Sequence, residues 1–165
     1  MGNRGSSSNM KSSAVGSARS DYDTAEAERR AITRISPSQR TPEQQRQLQA
    51  ANDRADAAGN RVMAHEMTNA MAERAMDSYI DEAVRLEGVK KTESWLKPMS
   101  GTKKDGSPTK TALEHAMARV GEVSIKVQND LGIHIMSYNL SDANKQRMIE
   151  PMLNAARKRM RGGLR

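Results

Sequence analysis

Leu113, Met117, Val120, Val123, Val127 and Leu131 recur at steps of three and four residues, the spacing that gathers side chains on one face of an α-helix. A helix with a single apolar stripe must bury it against another element, so no other feature constrains the fold as strongly. Thr111 and Glu114 form a capping-box pair at its start, and Gly132 ends it.

The same period recurs elsewhere. Thr41-Pro42-Glu43-Gln44 is a helix start: Thr caps, Pro suits the first helical position, and Glu or Gln favours the first turn. The stripe that follows is thin (Leu48, Ala51, Ala55, Ala58) and meets Gly59-Asn60, a break or a costly passage. Residues 61–87 are predicted as one helix carrying Met63, Met67, Met76, Ile80 and Val84, with Gly88 as its stop. A shorter helix from Ala25 to Ile35, capped by Thr24, is stopped by Ser36-Pro37. Ile133 to Leu140 alternates in part and reads as extended. Ser141 then caps a last helix with Ile149, Met152, Leu153 and Ala156 on one face; Pro151 within it implies a kink or a junction of two pieces.

The expected fold is therefore all-α, a small irregular helical bundle. Its core is assigned to Met67, Ile80, Val84, Leu113, Val120, Val127, Ile149 and Leu153. Three Tyr, one Trp and no Phe fill the aromatic places, and Met occurs 12 times. Such a core contributes modest stability alone, so a protein partner or self-association is expected.

Residues 1–20 are Ser-, Gly- and Asn-rich and are expected to form a disordered basic tail, too apolar-poor to offset ordering. Residues 21–165 are read as one helical domain containing a long Lys-rich loop, 89–110, with two Pro and the turn signals Ser-Gly and Asp-Gly. A short helical turn around Ser94 to Leu96 is compatible with that loop. The tail lacks the apolar segment of a secretory signal. A cytoplasmic location, or one inside a virion or nucleoprotein assembly, follows as the expectation, and secretion does not.

Charge is unevenly spread. Residues 41–88 carry five basic against nine acidic residues, whereas 89–110 carry six against two and 141–165 seven against two. The chain is an acidic or neutral helical middle with basic attachments. The densest cluster is Arg157, Lys158, Arg159 and Arg161, followed by Arg165; Lys103 and Lys104 stand in the loop. Cations so clustered neutralise phosphates and release counterions, which supports sequence-independent nucleic-acid binding. The simpler explanation is that positive residues stabilise the last turn of a helix.

Catalytic signatures are thin. His65-Glu66 and Glu114-His115 lie on predicted helices and His134 between two, but adjacent helical positions point about 100° apart. Asn69 stands where HExxH requires its second His, so the three His read as unrelated. Neither a nucleophile elbow nor a phosphate-binding loop occurs, and Cys is absent. No catalytic residue, metal or cofactor is assigned.

The leading expectation is a non-enzymatic interaction protein whose helices pack in a larger complex and whose basic segments meet nucleic acid. One alternative is a small enzyme or toxin using the Lys-rich loop with His115 and His134. Another is a membrane-surface protein N-myristoylated at Gly2, since Met1-Gly2-Asn3-Arg4-Gly5-Ser6 fits the acyl-acceptor pattern. That pattern is short, and membrane is the least favoured partner.

Overall fold

The computed structural model describes residues 4–96, 103–107 and 110–164, with side chains described from residue 14 and, in the later helix, for 114 and from 116. Among the described residues the fold is all-helical, as expected. The helices are α1 (Arg4–Thr33), α2 (Pro42–Glu66), α3 (Asn69–Glu87), α4 (Val89–Leu96), α5 (Lys110–Leu131) and α6 (Asp142–Gly162). None among the described residues is long and apolar enough to cross a membrane. The chain divides into two compact units: residues 1–67 with 131–140, and residues 68–130 with 141–165.

The first unit is a pair of helices held closely by small side chains. Ala18, Tyr22 and Ala25 of α1 are buried, as are Ala51, Ala55, Ala58, Val62 and Met63 of α2. This moves the helix boundary toward the N-terminus. Residues 18–20, assigned to a tail by composition, lie inside α1, and Thr24 is mid-helix rather than a cap. The physical reason is that Ala18 and Ala25 add little hydrophobicity as residues yet are small enough to let the paired helix approach closely. Thr41 caps α2 as the sequence implies: its hydroxyl accepts from the Gln44 N–H, and the Gln44 side chain accepts from the Thr41 N–H.

Segment 131–140 completes this unit without forming a strand. Ile133 and Ile135 are buried while His134 and Met136 are exposed, the alternation expected of extended chain. The Tyr22 hydroxyl accepts from the His134 N–H at 2.6 Å and donates to the His134 carbonyl at 3.0 Å. Asn60 donates to the Asn139 carbonyl, and Asn139 donates to the Asp56 carboxylate. Arg19 bridges Glu66 and the Leu131 carbonyl. Gly59 does not break α2. A Cβ there would stand 2.6 Å from Ile135 Cγ2, so the glycine admits the segment.

The second unit packs α3, α4, α5 and α6. Of the two readings of Gly59-Asn60 the run-through holds, and the break falls at Met67-Thr68, where the Thr68 hydroxyl accepts from the Met71 N–H and starts α3. The helix predicted over 61–87 is thus the end of α2 followed by α3. Gly88, at φ +90°, separates α3 from α4. Val89–Leu96 is helical, so the first third of the predicted 89–110 loop is an ordered element. Buried Thr92 donates to the Gly88 carbonyl at 2.9 Å, and Trp95 packs edge-on against Tyr79 of α3. Val120, Val123 and Val127 are buried in α5, as are Met148, Ile149, Met152 and Ala155 in α6. Of the other assigned core residues, Met67 and Ile80 are buried and Val84 and Leu153 are half-buried; the Leu113 side chain lies outside the described residues. Pro151 is buried inside a continuous α6, one helix rather than two pieces.

Candidate functional site

The predicted basic cluster sits on the C-terminal half of α6, and the helix divides it. Arg159 turns inward: its guanidinium donates to the Asp81 carboxylate at 2.6 Å and to the Asp77 carbonyl at 3.4 Å, and stands 3.9 Å from the Asp77 carboxylate. Its side chain is 25% exposed, against 48% for Arg157 and 66% for Lys158, which marks it as the anchored member. Lys158 stands 4.0 Å from Glu73. Glu73, Asp77 and Asp81 follow one another at four-residue steps on α3, so they form one acidic ridge beneath α6. Burial pushes the Asp77 carboxyl above its usual value; Arg159 opposes the rise, and Asp81 and Glu73 add to it.

Arg157 and Arg161 point to solvent. Arg157 is 3.9 Å from Glu150 and donates to Asn154, and Arg161 is exposed with no ion pair among the described residues. Arg159 and Arg161 also occupy the last turn, where they complement the helix dipole. Arg165 lies outside the described residues.

Lys103 and Lys104 occupy a separate exposed turn that closes on itself. The Lys103 N–H donates to the Ser107 carbonyl, the Gly106 N–H donates to the Lys103 carbonyl, and Gly106 takes φ +83°. The Ser107 hydroxyl and N–H both donate to Asp105, which holds that carboxyl below its ordinary value. No hydrogen bond or ion pair among the described residues joins Lys103 or Lys104 to α6.

The residues of the enzymatic alternative are described only in part. The His134 ring is exposed in the first unit while its backbone is held by Tyr22. The His115 side chain and Gly2 lie outside the described residues. Among the described residues no group of three His, Asp or Glu is placed to hold a metal ion. A cleft between α1 and α2 is lined by Asp21, Thr24, Ala25, Glu28, Arg54, Ala57 and Arg61, but its charges pair across it, Arg54 with Glu28 and Arg61 with Asp21.

One cluster escaped the sequence altogether. The Arg119 guanidinium of α5 lies 4.9 Å from the Trp95 ring centre and 5.7 Å from that of Tyr79. Its Nε is buried without a hydrogen-bond partner, while its Nη1 donates to the Glu122 carboxylate at 3.4 Å, so the guanidinium is compensated by a carboxylate and by the two aromatic rings together. Trp95, Tyr79 and Arg119 belong to three helices, and no spacing in the sequence links them. The acidic ridge under Arg159 was visible as spacing on α3, but not its pairing with α6.

No protein-family model, curated protein or solved structure matches the chain.

Proposed function

We propose that the chain is a non-enzymatic interaction protein whose helical units pack within a larger assembly and whose α6 end contacts polyanion, nucleic acid first. A nucleoprotein or virion-interior assembly suits that chemistry. The observation that carries the reading is the division of the basic cluster: Arg159 ties α6 to α3, and Arg157, Lys158 and Arg161 are left exposed on an anchored helix. Anchoring matters because cations on a fixed helix lose less freedom on binding than cations on a mobile tail.

The test is binding to a random-sequence duplex between low and moderate salt. Each phosphate contact contributes close to one unit of salt dependence. Changing Arg157, Lys158 and Arg161 together to Ala is expected to flatten the slope by roughly two to three units. Equal slopes for both proteins, or no binding by the wild type at low salt, would sink the nucleic-acid reading.

A further inference from the structure

The exposed side of α6 continues beyond the basic end. Gln146, Arg147, Glu150, Arg157, Lys158 and Arg161 are all exposed, and Asn154 is half-buried. At about 100° per residue, Arg147, Arg157, Lys158 and Arg161 fall within roughly a 100° arc, and Arg147 to Arg161 spans about 21 Å. The opposite side is occupied: Asn144, Met148, Met152 and Ala155 are buried, and Arg159 is tied to α3. Arg147, exposed though it is, also donates to the Asn144 side chain at 3.3 Å, and with the other outward residues it lines one side of the helix as a ridge.

We propose that this ridge, from Arg147 to Arg161, is the docking surface for the sugar-phosphate backbone of a nucleic-acid duplex. The inference rests on the reading above and adds its extent, a further cation and the form of the ligand. Four cations spread along a ridge match an anion that repeats along its length; a single carboxylate partner would engage one of them. Gln146 and Asn154 lie among them and donate to phosphate or sugar oxygens. Residues 142–164 contain no aromatic side chain, so unpaired bases find no stacking platform and a paired duplex is the better ligand. Glu150 is the one acidic residue on the ridge, with its side chain 71% exposed beside Arg157, and it opposes the approaching phosphates.

That last feature permits a gain-of-binding test, which a misfolded variant cannot mimic. DNA and RNA duplexes of random sequence are titrated with wild type, Glu150→Gln, Arg147→Ala and Glu43→Gln. The last variant makes the same charge change on an exposed residue of α2. Glu150→Gln is expected to tighten binding several-fold and steepen the salt slope by up to about one unit, Arg147→Ala to flatten it by about one, and Glu43→Gln to change neither. If Glu150→Gln and Glu43→Gln tighten binding equally, only net charge matters: the ridge is overturned while the broader reading stands. An unchanged slope for Arg147→Ala overturns the ridge's extent. Tighter binding to a single strand than to the duplex overturns the duplex assignment. Absence of wild-type binding at low salt overturns the ridge together with the reading it rests on.

Discussion

Gly59 and Gly16 look alike by helix propensity, since both are helical and either would gain from Ala. Their surroundings separate them. A Cβ at Gly16 meets nothing within 4 Å, whereas one at Gly59 meets Ile135 Cγ2 at 2.6 Å, with Ile135 itself buried. Gly16→Ala is expected to stabilise the first unit by about 0.5–1 kcal/mol, and Gly59→Ala to destabilise it by about 1–3 kcal/mol through overpacking, both read by thermal melting. Tyr22 gives a second test. Removing its hydroxyl strands the buried side of the His134 backbone, so Tyr22→Phe should cost about 1–3 kcal/mol. Burial raises the Tyr22 pKa above its ordinary 10.0, although the His134 hydrogen bond pulls the other way. The folded state then holds its proton longer than the unfolded one. The contribution is complete below the unfolded pKa and is lost as pH rises from about 10 through the folded value. Wild type should therefore lose stability above about pH 10 more steeply than Tyr22→Phe, and identical alkaline profiles would refute the assignment.

At the scale of the element, the pairing of α6 with α3 depends more on Arg159 than on Asp77. Arg159 bonds Asp81 directly, and the longer approach to Asp77 does not offset that carboxyl's burial. A carboxyl whose pKa is raised on folding stabilises the fold at low pH and loses that contribution as pH rises from its ordinary value through the folded one. Asp77→Asn should accordingly be neutral or stabilising at pH 7 and should flatten the pH dependence just above pH 3.8. Arg159→Ala should destabilise the second unit at pH 7, because it strands both acids and removes the stem packed on α3. Denaturant unfolding of the two variants decides it; a larger loss from Asp77→Asn would reverse the ranking. The elements themselves were largely legible. Caps at Thr41 and Ser141, the stop at Gly88 and the α5 stripe all act locally, within a turn or two of chain. The exceptions were α1, whose burial depends on α2, and the 66–69 break, where Thr68 capping outweighed a Met stripe that reads as continuous.

Over the whole molecule, the net charge of +7 conceals many cations that are already paired with carboxylates. Many arginines are tied to carboxylates inside one unit or the other: Arg19 to Glu66, Arg54 to Glu28, Arg61 to Asp21 and Arg159 to Asp81. Counting charges along the chain therefore overstates the number free to meet an external anion. For the candidate site this lowers the expected salt slope from that of four cations at the helix end to that of three; the ridge proposal adds Arg147, which also donates to Asn144. Because the proposed contacts are to phosphates, which carry no base information, unrelated duplexes should lose affinity by the same factor in the triple Ala variant. A loss confined to one sequence would point to base readout and away from phosphate contact.

Composition and periodicity by themselves determined that the chain is helical, where most of its helices stop, and that basic residues gather at the C-terminal end of the last one. These properties are local: a cap, a glycine or a stripe acts through neighbours within a few residues. Only the tertiary structure decided which cations are already paired, why Gly59 must be glycine, and that Arg119 packs beside two rings. Each of these depends on a partner distant in sequence: Asp81 lies 78 residues from Arg159, and Ile135 reaches Gly59 from a segment beyond α5. A one-dimensional pattern carries the charge and size of a side chain, and the fold alone supplies the group that pairs with it or fills the space beside it.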